Sequence, residues 1–243
     1  MRYLVKATNN PPLAMPPLAL TLDLDDTLWP VWPAIERAET QLHAWLQRHA
    51  PATARRFDIA GLRALRDEVA RTHPQWSHDL SAIRLESLRR ALRQAGDDEG
   101  LAQPAFDAFL SWRHRVEIYA DVVPALQRLA ARFPLVALTN GNADLQTIGL
   151  SHWFRSVVSA RSFGVGKPHA AIFMEACRRA GAPAHRVLHV GDDLALDVAA
   201  ALAAGLQAAW VARPDIHAEA EGAPEGTHHV VRDLGELADR LGA

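Results

Sequence analysis

The chain has 243 residues, 49% of them hydrophobic and 22% charged, enough for one large domain or for a core with a smaller insert. A formal net charge of −2 leaves no basic footprint for nucleic acid. The lone Cys177 excludes an intramolecular disulfide framework and fits a reducing cytoplasm, and no run approaches the ~18 apolar residues of a membrane helix.

Residues 1–17 carry Asn9-Asn10-Pro11-Pro12 and Pro16-Pro17, which interrupt any apolar signal region, so a loose arm is expected there. An apolar stretch then begins at Leu18 and ends in Leu22-Asp23-Leu24-Asp25-Asp26-Thr27-Leu28. Strand alternation puts Asp23 and Asp25 on one side of an extended chain. Two like charges so placed call for a cation, and Mg²⁺, which takes one or two carboxylates plus a phosphate, would answer them. An Asp-rich helix N-cap after a strand is the plainer alternative.

Leu28 and Thr139 are separated by 110 residues, whereas a βαβ crossover needs only about 30. The excess reads as helical: Leu42, Trp45 and Leu46 before Pro51; Leu62, Leu65 and Val69 after Asp58; Ile83, Leu88 and Leu92 between Ser77 and Gly96; Phe106, Phe109 and Leu110 after Pro104. About four helices are expected, forming a cap over residues 31–119 on a core of residues 18–30 and 120–243. Arg84, Arg89 and Arg90 on the third of these could meet a substrate anion or form a solvated helix face.

From Val122 onward helix and strand alternate. A helix to Phe133 precedes the strand Leu135–Thr139, which ends in Thr139-Asn140-Gly141-Asn142, a hydroxyl, an amide and a glycine suited to phosphate oxygens. A short strand near Val157 leads to Gly164-Val165-Gly166-Lys167-Pro168. Of 26 Lys plus Arg only Lys6 and Lys167 are lysine, so a loop ammonium here stands out as a point charge for an anion. A helix to Arg179 carries Cys177 as a small core residue. Then come the strand Val187–Val190, the turn Gly191-Asp192-Asp193, a helix to Ala204 bearing Asp197, and the strand Gln207–Val211. Asp192 and Asp193 could be plain N-caps, whereas Asp193 and Asp197 can share a helix face. His189 reads as a strand residue beside the site, and the histidines show no zinc-like spacing. The fold expected is α/β, a Rossmann-like doubly wound parallel sheet with an inserted helical cap. All four motifs fall at the C-terminal strand ends, where such sheets bind ligands.

In this order the four motifs resemble those of the haloacid dehalogenase superfamily: D-x-D-x-T at Asp23 to Thr27, Thr139, Lys167, and G-D-x-x-x-x-D, here from Gly191, with Asp192 and Asp197. The phrasing is most similar to the bacterial phosphatases of flavin mononucleotide and of 5-amino-6-(5-phospho-D-ribitylamino)uracil, which carry a helical cap. The resemblance implies Asp23 as nucleophile, Asp25 as general acid and then base, and Thr139 and Lys167 on the phosphoryl oxygens. It implies Mg²⁺ held by Asp23, Asp192 and the carbonyl of Asp25, with Asp193 and Asp197 steering Lys167 and metal-bound water. Asn140, Trp29 and Trp32 are expected to touch substrate, with a tryptophan, Trp76 included, stacking on a planar ring.

Dehalogenases of the superfamily lack an acid at the position of Asp25, and phosphonate-cleaving relatives need a cap lysine, which Trp29 to Asp121 does not contain. The resemblance thus implies a cytoplasmic phosphomonoesterase for a small phosphorylated metabolite, monomer or homodimer, with no nucleic-acid or membrane partner. Broader sugar-phosphate or nucleotide hydrolysis, 2-haloacid dehalogenation and a non-catalytic phospho-acceptor role are the alternatives.

Overall fold

In the computed structural model, residues 15–214, 216 and 222–243 are described. Most of the expected N-terminal arm, up to residue 14, lies outside them. Six strands, β1 (Ala19–Leu22), β2 (Leu135–Thr139), β3 (Ser156–Ser159), β4 (Val187–Gly191), β5 (Gln207–Val211) and β6 (His229–Val231), form one sheet in the order β3-β2-β1-β4-β5-β6. Every pairing is parallel, so this is the doubly wound α/β sheet that the alternation predicts. The edge strand β6 has no counterpart in the sequence reading, because three residues beginning with a histidine carry too little pattern to stand out.

Period-2 alternation sorts the side chains of β1. Leu20 and Leu22 face one core, with Leu126, Leu129, Leu234 and Leu237, while Ala19 faces a second core, with Val136, Leu138, Phe173 and Trp210. Both layers are buried and apolar, as a parallel sheet covered by helices on both faces requires. Cys177, on the helix Ala170–Ala180, is buried in the second layer, and burial pushes its thiol up to about 11, in keeping with a packing role.

Between β1 and β2 stand five helices before the chain returns to the sheet: α1 (Val31–His49), α2 (Pro51–Arg56), α3 (Ile59–Thr72), α4 (Leu80–Ala95) and α5 (Ala102–Arg113). The extra one arises at Pro51, which ends α1 and opens α2 at the first helical position, where a missing N–H costs nothing. Asp58 caps α3 through Gly61 N, and Asp79 caps α4 through the amides of Ser81 and Ala82. Gly96, at φ +83°, ends α4 in the left-handed conformation that glycine adopts without strain. Leu42, Leu46, Leu88, Leu92, Phe106 and Phe109 form a third hydrophobic cluster belonging to these helices alone. After Arg113 the chain re-enters the sheet layer at α6 (Val122–Ala130), which ends three residues before the expected Phe133. No helix of the described residues is long and apolar enough to cross a membrane.

Candidate active site

The strand ends converge on a cleft of about 250 Å³ bordered by Asp23, Asp25, Thr139, Lys167, Asp192 and Asp197. The Asp23 loop begins where β1 stops: Asp23 N still donates to Val190 O at 2.9 Å, then the chain turns through Asp26 at φ +58°. A left-handed aspartate is uncommon, and here the Asp26 carboxylate accepts from Val31 N, tying the turn to the start of α1. Arg213 fixes the far side of the loop, donating twice to Thr27 O and to both oxygens of Asp121.

Lys167 is buried between two carboxylates, with its ammonium 2.5 Å from Asp23 Oδ1 and also bonded to Asp197 Oδ1. Burial alone would lower its pKa, but Asp197 and Asp23 outweigh that and raise it. Asp197 is similarly buried, yet Lys167 and His189 hold its carboxyl below the usual carboxylate range. His189 Nε2 lies 3.0 Å from Asp197 Oδ1 and Nδ1 lies 2.8 Å from Thr21 Oγ1. The ring is fully buried, which lowers its pKa. In the neutral ring an ionised carboxylate can only accept, so Nε2 carries the hydrogen and Nδ1 accepts from the Thr21 hydroxyl. His189 is therefore a strand residue that braces the site, as its place in the sequence suggests.

Asp197 reaches this position because the chain after β4 opens in a wide turn, with Val198 N bonding back to Asp193 O as well as Asp197 N. Its carboxyl presses on Gly191, where a Cβ would lie 2.3 Å from Asp197 Cγ, so no larger residue fits. Asp193 turns out to be the plain helix cap: its Oδ1 accepts from Ala195 N and Leu196 N. Its backbone N donates to Asp197 Oδ2, and the residue also borders the cleft.

Asp192 accepts from the Thr27 hydroxyl at 2.8 Å, and its own carbonyl accepts from Trp210 Nε1. Burial pushes its carboxyl up to about 7, with Asp197 adding to the rise. Burial also raises Asp23 well above the carboxylate range, Lys167 opposing and Asp197 and Asp192 reinforcing it. One oxygen from each of Asp23, Asp192 and Asp197 lies within 4.8 Å of the others. A single ammonium does not neutralise three such acids, and an all-oxygen donor set suits a hard dication.

The two other expected phosphate contacts behave differently. Thr139 is buried, and its hydroxyl oxygen accepts from Gly141 N at 2.9 Å, leaving its hydrogen to donate into the cleft. Asn140 instead grips the backbone of Lys167 twice, Nδ2 to Lys167 O and Lys167 N to Oδ1. One N–H and one lone pair of its amide thus hold the lysine loop, and the residue also borders the cleft.

Asp25 faces the same cleft but has its own cation. Nη2 of Arg113, from the last turn of α5, donates to both carboxylate oxygens at 2.6 and 2.7 Å, and Trp29 Nε1 donates at 2.8 Å. Trp29 is fully buried, so the stacking role expected of it is corrected: the ring supports the loop from below. Trp76 stacks on His73. Trp32 is half-exposed and lines a second, partly open cavity of about 400 Å³ formed mostly by the helices of the insert. The two spaces meet at Asp25, Gly141 and Leu80, which border both. Arg113 was not legible in the sequence, because its partner lies 88 residues away with no pattern to link them.

A family model described as haloacid dehalogenase-like hydrolase matches residues 18–205, which takes in all four motifs and the helical insert. The chain belongs to the haloacid dehalogenase-like hydrolases. Among curated members of that family it is 37% identical over 201 residues to the 5-amino-6-(5-phospho-D-ribitylamino)uracil phosphatase YigB of Escherichia coli (strain K12), covering 81% of this chain and 84% of the relative. It is 33% identical over 176 residues to a phosphoserine phosphatase of Thermus thermophilus, covering 70% and 66%. Among solved haloacid dehalogenase-like structures, a 2-haloacid dehalogenase from Pseudomonas syringae pv. Tomato DC3000 superposes with a TM-score of 0.86 at 38% identity, covering 94% of this chain and 99% of its own.

Proposed function

We propose that this hydrolase is a Mg²⁺-dependent phosphomonoesterase that works through an aspartyl-phosphate and acts on flavin mononucleotide or on 5-amino-6-(5-phospho-D-ribitylamino)uracil. The observation that carries the reading is the position of Asp25, at the junction of the acidic cleft and the larger cavity. A phosphate bound at Asp23 would place its leaving oxygen beside Asp25 and its alcohol in the cavity among the inserted helices. That insert acts as the cap.

In this reading Asp23 Oδ attacks phosphorus in line and the bond to the leaving oxygen breaks. Asp25, once its pair with Arg113 loosens and it takes up a proton, gives that proton to the leaving oxygen, then takes one from the water that splits the aspartyl-phosphate, releasing inorganic phosphate and restoring Asp23. Lys167 and the Thr139 hydroxyl hold the non-bridging oxygens as charge builds on them. Asp23, Asp192 and the Asp25 carbonyl would hold Mg²⁺, which supplies charge neutralisation of the phosphoryl group when bound. Dehalogenation is the second reading, favoured by the Pseudomonas syringae likeness. It expels a halide that needs no proton, which leaves Asp25 without a task.

The test is Mg²⁺-dependent phosphate release from flavin mononucleotide, the ribitylaminouracil phosphate, sugar phosphates and nucleoside monophosphates, beside halide release from a 2-haloacid. A kcat/KM preference for the two ribityl phosphates is expected. A flat phosphate profile would leave a general phosphatase, and halide release without phosphate release would move the chain to the second reading.

Metal binding should also be visible without turnover. An unfolded chain ionises Asp192 near its ordinary value of about 4, while the folded site holds the proton to about 7. Between these values the folded state binds the extra proton, so metal-free stability falls as pH rises and the penalty is complete above about 7. Mg²⁺ displaces that proton, so it is expected to raise Tm more at pH 7.5 than at pH 5.5, reaching about 2.7 kcal/mol at a hundredfold excess over Kd. Thermal melts at the two pH values, with and without MgCl₂, check this; an equal shift at both would contradict it.

A further inference from the structure

The larger cavity has walls of two kinds. Trp32, Ile35, Ile83 and Phe109 present apolar and aromatic surface, while the charged lining is Arg84 of α4 beside two pairs, Arg66 with Asp67 and Arg113 with Asp25. Arg84 lies flat over the Phe109 ring, its guanidinium carbon 3.8 Å from the centroid, and its side chain is only 12% exposed. Its one hydrogen bond among the described residues is a long one, 3.4 Å from Nη2 to Glu39 Oε1. Glu39 is already taken by Arg63 at 2.6 Å and shared with Arg66. Four of the five Arg84 N–H donors therefore lack a protein acceptor. Burial brings this guanidinium down to about 10; Glu39 opposes that, while Arg66 and Arg113 add to it. The neighbours on α4 differ: Arg90 pairs with Glu86 and Glu68, and Arg89 stands 47% exposed beside Glu86.

A planar cation stacked on an aromatic ring, open to the cavity and short of protein acceptors, is placed to donate to whatever fills that cavity. We propose that Arg84 is a specificity-determining residue that reads the carbonyl edge of a flat heterocycle seated in this cavity, an edge with two acceptors matched to the guanidinium fork. The cavity of about 400 Å³ and its mainly apolar wall favour a ring over a small carboxylate, which would satisfy the fork but leave the aromatic surface uncovered. This rests on the phosphatase reading for turnover, and on the cavity alone for binding.

The experiment compares wild type with Arg84→Met and Arg84→Lys. Phosphate release is measured from flavin mononucleotide, from ring-free glycerol 3-phosphate and from phosphoserine, and binding of riboflavin is followed by quenching of its fluorescence. Arg84→Met is expected to raise KM for flavin mononucleotide and Kd for riboflavin about tenfold or more. The ring-free substrates should change less than about twofold, and Arg84→Lys should recover only part of the loss because it lacks the fork. Equal losses on all three phosphates, no loss on any, or a loss confined to phosphoserine would overturn the proposal. Weakened riboflavin binding in an enzyme that releases no phosphate would uphold the role of Arg84 and refute the phosphatase reading. If Arg84→Met does not fold, the ratio of flavin to glycerol phosphate KM in Arg84→Lys decides alone.

Discussion

Replacing Asp23 by Asn is expected to lower kcat for phosphate release by a factor on the order of 10⁴ or more, because the residual rate would come from binding and electrostatics without a nucleophile. The fold should not suffer. Asp23 is one of three crowded carboxylates, its pKa raised by burial and by Asp197 and Asp192, so removing its charge relieves repulsion while Lys167 keeps Asp197. A thermal melt of Asp23→Asn should therefore match or exceed wild type in metal-free buffer at neutral pH. Activity within tenfold of wild type would remove Asp23 from the chemistry, and a collapsed melt would make it a structural residue.

Lys167→Met is expected to do the reverse to stability. It leaves Asp23 and Asp197 buried with no ammonium between them, and breaking a buried pair in this way costs about 3–5 kcal/mol. At about 2–4 °C per kcal/mol for a chain of this size, the metal-free melt should fall by roughly 6–20 °C at neutral pH. Between pH 5 and 7 wild type already gains some stability on acidification through Asp192, and the variant should gain more. In wild type, Lys167 and His189 depress Asp197, so its contribution is present above an ordinary pKa of about 4 and lost as pH falls through the lower folded value. Without Lys167 the buried acids hold protons that the unfolded chain releases, so the variant should gain stability as pH drops from 7 to 5. Melts at these two pH values decide it: a variant whose deficit is the same at both would mean that the lysine acts by packing alone.

Which residues were legible follows from how far apart their partners stand. The strands, the turn glycines and the D-x-D, Thr, Lys and G-D-x-x-x-x-D sites are local patterns, and each lies within a run of about ten residues. Asp58 announces the helix that it caps for the same reason. The alternation argument for Asp23 and Asp25 found their shared cleft but not the cations that answer them. Asp23 takes Lys167 from a loop 144 residues on, and Asp25 takes Arg113 from the insert. Asp197 became the buried hub of Lys167 and His189 because a wide turn and Gly191 let its carboxyl fold back under the strand end. The burial of Trp29 and the grip of Asn140 on the Lys167 backbone were not legible, because side-chain type tells what a group can touch and not what occupies it first.

By itself, then, the sequence determined the parallel sheet, the helical insert and the set of acids, hydroxyl and lysine gathered at the strand ends, since hydrophobic period and turn chemistry are written along the chain. Tertiary structure decided which acid each cation neutralises, which tryptophan is buried and which lines the cavity, and that Arg84 alone of its helix's arginines turns inward. Burial and long-range pairing set the energies of those choices, and neither exists until the chain has closed on itself.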